Sequence, residues 1–158
     1  MKKIIAFTLC LVCVFSLCAC GKAPVDPEMA DLLAAVDKAA GEEGEMAAVD
    51  ASYVKGMLKL EVTDYGDFAV RINAFSKNID EYGVFRGKDE AQVKLIKSAV
   101  ETYIKMRQDT WITGYMPEEL PKLESAKVWT QGSYVMYAIL SEDAKAAVGT
   151  SFENCFKG

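Results

Sequence analysis

Four residues, Leu17-Cys18-Ala19-Cys20, set the strongest limit on what this chain can fold into. They follow a basic start, Lys2-Lys3, and an apolar run from Ile4, and they precede the polar, breaker-rich Gly21-Lys22-Ala23-Pro24. That order, with small Ala19 directly before Cys20, is what cleavage and lipid transfer at a lipoprotein signal require. It favours a signal peptide over residues 1–19 against an uncleaved anchor, for which the apolar run is slightly short. Cleavage discards Cys10, Cys13 and Cys18, and acylation (palmitate or a similar chain) occupies Cys20. Cys155 is then the one free thiol, so no intrachain disulfide can staple the body, and Cys10-Leu11-Val12-Cys13 is no redox motif. The fold must rest on a hydrophobic core. Of 158 residues, removal of 19 leaves 139, a length at which one domain buries a core of its own.

The same processing changes the charge. Loss of Lys2 and Lys3 reduces the 18 basic residues to 16 against 23 acidic ones, a balance of about −7. Such a body attracts neither nucleic acid nor anionic lipid, so membrane residence is expected to rest on the acyl chains of Cys20. The chain contains no histidine. Ser-His-Asp and Cys-His catalysis, HExxH zinc sites and histidine-based deaminase chemistry all lack their central residue, and no metal frame or cofactor motif replaces them.

Residues 20–49 read as a lipidated tether and an N-terminal helix. Extended, residues 21–26 reach only about 20 Å, which keeps the body close to the bilayer. Asp26 is placed to cap the helix with Pro27 at its first position, and Met29, Leu32, Leu33, Val36 and Ala40 recur at helical spacing up to Gly41. Glu42-Glu43-Gly44-Glu45 lacks the frame of a calcium loop and reads as a solvated linker.

Residues 50–158 read as one α+β domain. Asp50 suits the cap of a brief helix, while Leu58, Leu60 and Val62 leave helix and strand both open over 58–63. Phe68, Val70, Ile72 and Ala74 alternate, Ser76-Lys77-Asn78 forms a turn, and 81–86 returns as the second strand of a hairpin. Asp89 with Gln92 opens a long helix whose stripe is Val93, Ile96, Val100, Tyr103 and Ile104, with Lys94, Lys97, Glu101 and Lys105 opposite. Pro117, Glu118 and Glu119 suit one short turn ended by Pro121.

A second hairpin spans 126–140. Placing Gln131-Gly132 as its two-residue turn sets Trp129 opposite Tyr134 and Val128 opposite Val135. Val128, Val135, Tyr137 and Ile139 then face the core, and Trp129, Tyr134, Lys127 and Met136 share the other face. Ser141 caps a last helix along which Ala144, Val148, Phe152 and Cys155 recur, so Cys155 points inward as a small hydrophobe. Hairpin, helix, hairpin, helix is a weak duplication. It predicts a four-stranded antiparallel sheet with both helices on one face.

Tyr115-Met116-Pro117-Glu118-Glu119-Leu120, then Leu123, Ala126, Val128 and Gly132-Ser133-Tyr134-Val135, together with Asp80-Glu81, resemble a family of uncharacterised lipoprotein domains from Gram-positive, largely clostridial, bacteria. The resemblance covers roughly 50–156 and implies localisation and domain extent; the family is a domain of unknown function and brings no catalytic residue. The chain departs from it at Gly83, where an aliphatic residue is usual.

These readings point to a non-catalytic, membrane-anchored module that binds an envelope protein or a small ligand, with Trp129, Tyr134, Lys127 and Met136 as the candidate surface. An envelope assembly factor is the alternative. A hydrolase would have to use carboxylates such as Glu81, Glu118 or Glu119, and no spacing in the chain favours it.

Overall fold

The computed structural model describes residues 25–41, 46–61, 66–75 and 78–157. The leader, Cys20, the acidic loop at 42–45, Val62 and the Ser76-Lys77 turn lie outside them. Ten elements follow in order: α1 (Met29–Ala40), β1 (Met46–Ala48), α2 (Ala51–Leu58), β2 (Phe68–Asn73), β3 (Glu81–Arg86), α3 (Glu90–Asp109), α4 (Leu120–Glu124), β4 (Lys127–Gln131), β5 (Tyr134–Ile139) and α5 (Glu142–Asn154).

The strands form one antiparallel sheet in the order β1-β2-β3-β5-β4. Sequence periodicity predicts four of these five strands. The fifth, β1, pairs Met46 with Asn73 and Ala48 with Arg71, and three residues are too few to carry a period-two signal. Strand β1 extends the sheet, and Leu32 and Val36 of α1 pack into the core on one of its faces.

The sheet is covered on both faces, not one. Val70, Phe85, Val135, Tyr137 and Ile139 pack against Val93, Ile96, Val100 and Tyr103 of α3 and Val54 and Leu58 of α2. On the reverse face Tyr82, Val84, Trp129, Tyr134, Met136 and Ala138 pack beneath Leu32 and Val36 of α1 and Val148 and Phe152 of α5. A two-fold axis normal to the sheet between β3 and β5 would set α3 and α5 on the same side. They lie on opposite sides, so the suggested duplication stops at the hairpins.

The caps follow sequence chemistry with one exception. Asp50, Asp89 and Ser141 accept hydrogen bonds from the amides of Tyr53, Gln92 and Ala144. Asp26 does not cap α1, whose N-cap position is Glu28. Asp26 instead pairs with Arg86 at 2.9 Å and accepts from Ser133 Oγ at 3.1 Å, fastening the chain entry to the far end of β3. The other short helix is also displaced: Pro121 lies inside the first turn of α4 and does not end a turn at 117–120. Leu58 closes α2, Lys59 turns left-handed at φ 57°, and Leu60 is buried.

The second hairpin turns one residue later than expected, at Gly132-Ser133, so Gln131 faces Tyr134 and Trp129 faces Met136. Moving a two-residue turn by one position shifts partners by two, and each side chain keeps its face. What changes is the cover. Trp129, Tyr134 and Met136 are all buried, because α1 and α5 lie over them. A Cβ on Gly149 of α5 would stand 2.6 Å from the Trp129 ring; the bare glycine lets that helix lie directly on the indole. Only Lys127 remains exposed, its Nζ 4.9 Å from the Trp129 ring centroid. The surface expected at Trp129, Tyr134 and Met136 is therefore core.

Gly83 has a comparable reason. A Cβ there would meet Tyr137 Cε1 at 2.5 Å and Val70 Cγ2 at 2.9 Å, so an aliphatic residue at this position would displace the Tyr137 ring. Gly83→Ala is predicted to destabilise the fold by about 1–3 kcal/mol through overpacking. Urea denaturation at pH 7 checks this; a midpoint equal to that of the parent would contradict it.

Candidate functional site

Glu81 opens β3 and points, in phase with Gly83 and Phe85, into the layer beneath α3. A carboxylate in that position needs donors from every side, and the fold supplies three. Antiparallel pairing places Gly83 beside Tyr137, and the missing side chain leaves room for the Tyr137 ring to reach along the sheet so that its hydroxyl donates to Glu81 Oε1. From above, Tyr103 and Arg107 stand one turn apart on the same side of α3. Tyr103 OH donates to Glu81 Oε2 at 3.0 Å and Arg107 Nη1 at 2.6 Å, and Arg107 Nη1 also reaches Tyr103 OH at 3.3 Å.

Burial raises the Glu81 carboxyl above the ordinary value of 4.5, against the pull of Arg107 and the two phenols. The Tyr103 and Tyr137 hydroxyls are pushed up as well, first by burial and then by the carboxylate beside them. They remain protonated donors. Arg107 is raised despite its own burial, because the Tyr103 and Glu81 oxygens favour its charge.

This cluster floors a polar pocket of about 240 Å³ walled by Tyr53, Asn78, Asp80, Arg107, Tyr115 and Met116. Its lip is clamped by Lys122, which bridges Asp80 at 2.8 Å and Glu119 at 2.9 Å, while Glu119 also accepts from the Ile79 amide. Glu119 thus ties α4 to the segment entering β3, and Glu118 stays exposed. Glu81, Glu118 and Glu119 are not assembled as an acid and base pair.

Met57 and Tyr103 also line a second compartment, an apolar groove of about 350 Å³ between α2 and α3. Leu58, Leu60 and Tyr103 form its buried floor; Met57, Leu95 and Met106 rise at its edges, 36%, 52% and 40% exposed. Leu95, Ala99, Thr102 and Met106 recur at intervals of four, three and four residues. They give α3 a second apolar side, apart from the buried stripe and from the Lys94, Lys97, Glu101 and Lys105 side, where Lys94 pairs with Glu90 and Lys97 with Glu101.

The groove and pocket replace the surface expected from sequence. Both signals were in the chain: a glutamate on the inward phase of a strand, and a second stripe on α3. Cys155, the remaining reactive candidate, is half-buried; its Sγ donates to Ser151 O at 3.3 Å, and burial followed by Asp31 pushes the thiol up, away from reactivity.

Glu81 holds its proton more firmly in the folded protein than in the unfolded chain between pH 4.5 and its raised value, so its contribution to stability falls as pH rises through that interval. Arg107→Leu strips the carboxylate of its cation. We predict a loss of about 3–5 kcal/mol at pH 8, smaller at pH 5 where protonation removes more of the unpaired charge, and partly recovered at pH 8 by adding Glu81→Gln. Urea midpoints at the two pH values test this; equal losses at both would contradict it.

A family model described as a domain of unknown function (DUF4358) matches residues 38–140, well over half of the chain. No curated protein and no solved structure matches it.

Proposed function

This chain belongs to the DUF4358 family of domains of unknown function, and we propose that it is a non-catalytic binding module held on the extracytoplasmic face of a cell membrane by acylated Cys20. The lipoprotein part rests on Leu17-Cys18-Ala19-Cys20 and its flanks, and a Gram-positive envelope only on the resemblance carried by Tyr115 to Val135. Among the described residues no helix is long and apolar enough to cross a membrane.

One observation carries the binding part: the polar pocket and the chain entry occupy opposite ends of β3. Asp26, six residues beyond Cys20, is pinned to Arg86 at the last position of the strand, and Glu81 stands at the first. At about 3.3 Å per residue the two ends are some 17 Å apart. An anchor at one end therefore turns the pocket outward, where an extracytoplasmic ligand can enter. The chemistry of the cluster favours binding over catalysis. Both Glu81 oxygens are already engaged by two phenols and a guanidinium, so the carboxylate is committed to holding the cluster together rather than presented to a substrate. Asp80 and Glu119 are likewise held by Lys122.

Two measurements test the proposal. Cys20→Ser is expected to abolish incorporation of labelled palmitate and to release the protein from the membrane fraction; retention at full unprocessed mass would overturn the anchor. A photo-crosslinking residue in place of exposed Tyr115 is expected to yield a discrete adduct in cells. The same residue at exposed Thr150 on α5 is expected to yield none. Identical outcomes at the two positions would overturn the assignment of the cleft.

A further inference from the structure

We propose that the apolar groove between α2 and α3 takes a single-chain anionic amphiphile, its hydrocarbon lying against Met57, Leu95, Ala99 and Met106 and its acidic head on Lys59. This names the ligand class of the module proposed above and rests on that reading.

The shape and the charge of the groove lead to the same occupant. At about 350 Å³ it falls within the range of small-ligand pockets, and its walls are overwhelmingly apolar. Burying the half-exposed Leu95, Met57 and Met106 against a hydrocarbon chain removes apolar surface from water, and the two methionines adapt to the shape of a flexible chain. The second side of α3 runs over the twelve residues from Leu95 to Met106, about 16 Å of helix, which gives an extended chain a track.

Of the side chains lining the groove, Lys59 alone carries a formal charge, and it is a cation in a chain with an excess of acid. Its position is set by the end of α2, where it is the C-cap residue. Lys59 adopts φ 57° and ψ 29°, a left-handed conformation that costs a residue with a Cβ, and its Nζ lies 2.7 Å from Gly56 O at the end of α2. The carbonyl takes one of three N–H donors. Among the described residues no carboxylate pairs with this ammonium, so its charge is available to an acidic head at the mouth of an apolar slot. A cationic head in the same place would be repelled.

The test uses the full-length lipoprotein in membrane vesicles from its own cells. A diazirine-bearing dodecanoate and a diazirine-bearing dodecyltrimethylammonium are added at equal concentration and irradiated, and adducts are mapped by mass spectrometry. The anionic probe is expected to label the Met57, Leu95 and Met106 peptides roughly tenfold more than the cationic one, with unlabelled dodecanoate competing. Lys59→Glu should reduce that labelling about tenfold, and Lys59→Arg should retain it. Leu95→Glu, at a half-exposed position, should abolish it with the urea midpoint unchanged. Equal labelling by both probes, labelling spread over the whole surface, or indifference to Lys59→Glu would overturn the proposal. So would cross-links joining Leu95 of two copies, which would make a second chain the occupant. If these arms fail while the adduct at position 115 forms, the ligand class is wrong and the binding module stands; if both fail, both fall.

Discussion

A carboxylate buried between a sheet and a helix governs the arrangement of this molecule. Glu81 sits in a layer otherwise filled by Phe85, Val100, Tyr137 and Ile139, where an unpaired charge would cost several kcal/mol. It is tolerated because Tyr137, Tyr103 and Arg107 all converge on it. The next residue makes the matching demand on the other face: Tyr82 OH donates to Asp37 of α1 at 2.7 Å, and Asp37 also holds Arg71 at 3.3 Å. A one-residue slip of β3 would exchange these two side chains, carrying Glu81 away from its guanidinium and Tyr82 away from its acceptor. Adjacent polar residues with partners in opposite layers thus fix the register and orient α1 and α3 about the sheet.

The cleft follows from that arrangement. Arg107 must reach down to Glu81, which fixes α3 over the start of β3 and opens the polar pocket beside Tyr53 and Tyr115. The same placement of α3 leaves its second apolar side, from Leu95 to Met106, facing the end of α2. On the reverse face α1 and α5 close over Trp129, Tyr134 and Met136. Ser151 Oγ donates to Ala35 O at 2.9 Å where α5 meets α1, and the Trp129 ring lies under Gly149. The aromatic surface expected from the second hairpin is core, and the cleft opens instead on the face that carries α3.

Much of the fold is legible in the residues themselves. Period-two alternation locates both hairpins, and Asp50, Asp89 and Ser141 announce three helices by their capping chemistry. The layer assignment is not legible, because a strand with apolar residues on both phases, such as Tyr134 to Ile139, says that both faces are covered without saying by what. Strand β1 is too short to show a period, and Asp26 has the chemistry of a cap but finds Arg86 first. For the site, the telling residues are Glu81, in phase with Phe85, and Arg107, one turn past Tyr103. Neither reads as special until the sheet sets them face to face. Gly83, inconspicuous among the residues of its strand, is the space that the Tyr137 ring needs.

The arrangement of the molecule depends on Glu81 being a buried carboxyl held by Arg107 and two phenols, and that state can be observed directly. Carbon-13 NMR of the side-chain carboxyl, assigned through Glu81→Gln and followed across pH, reports its titration. The account predicts a midpoint above 4.5 that moves higher still in Arg107→Leu. A Glu81 carboxyl that titrates at or below the ordinary glutamate value, indifferent to the loss of Arg107, would contradict it.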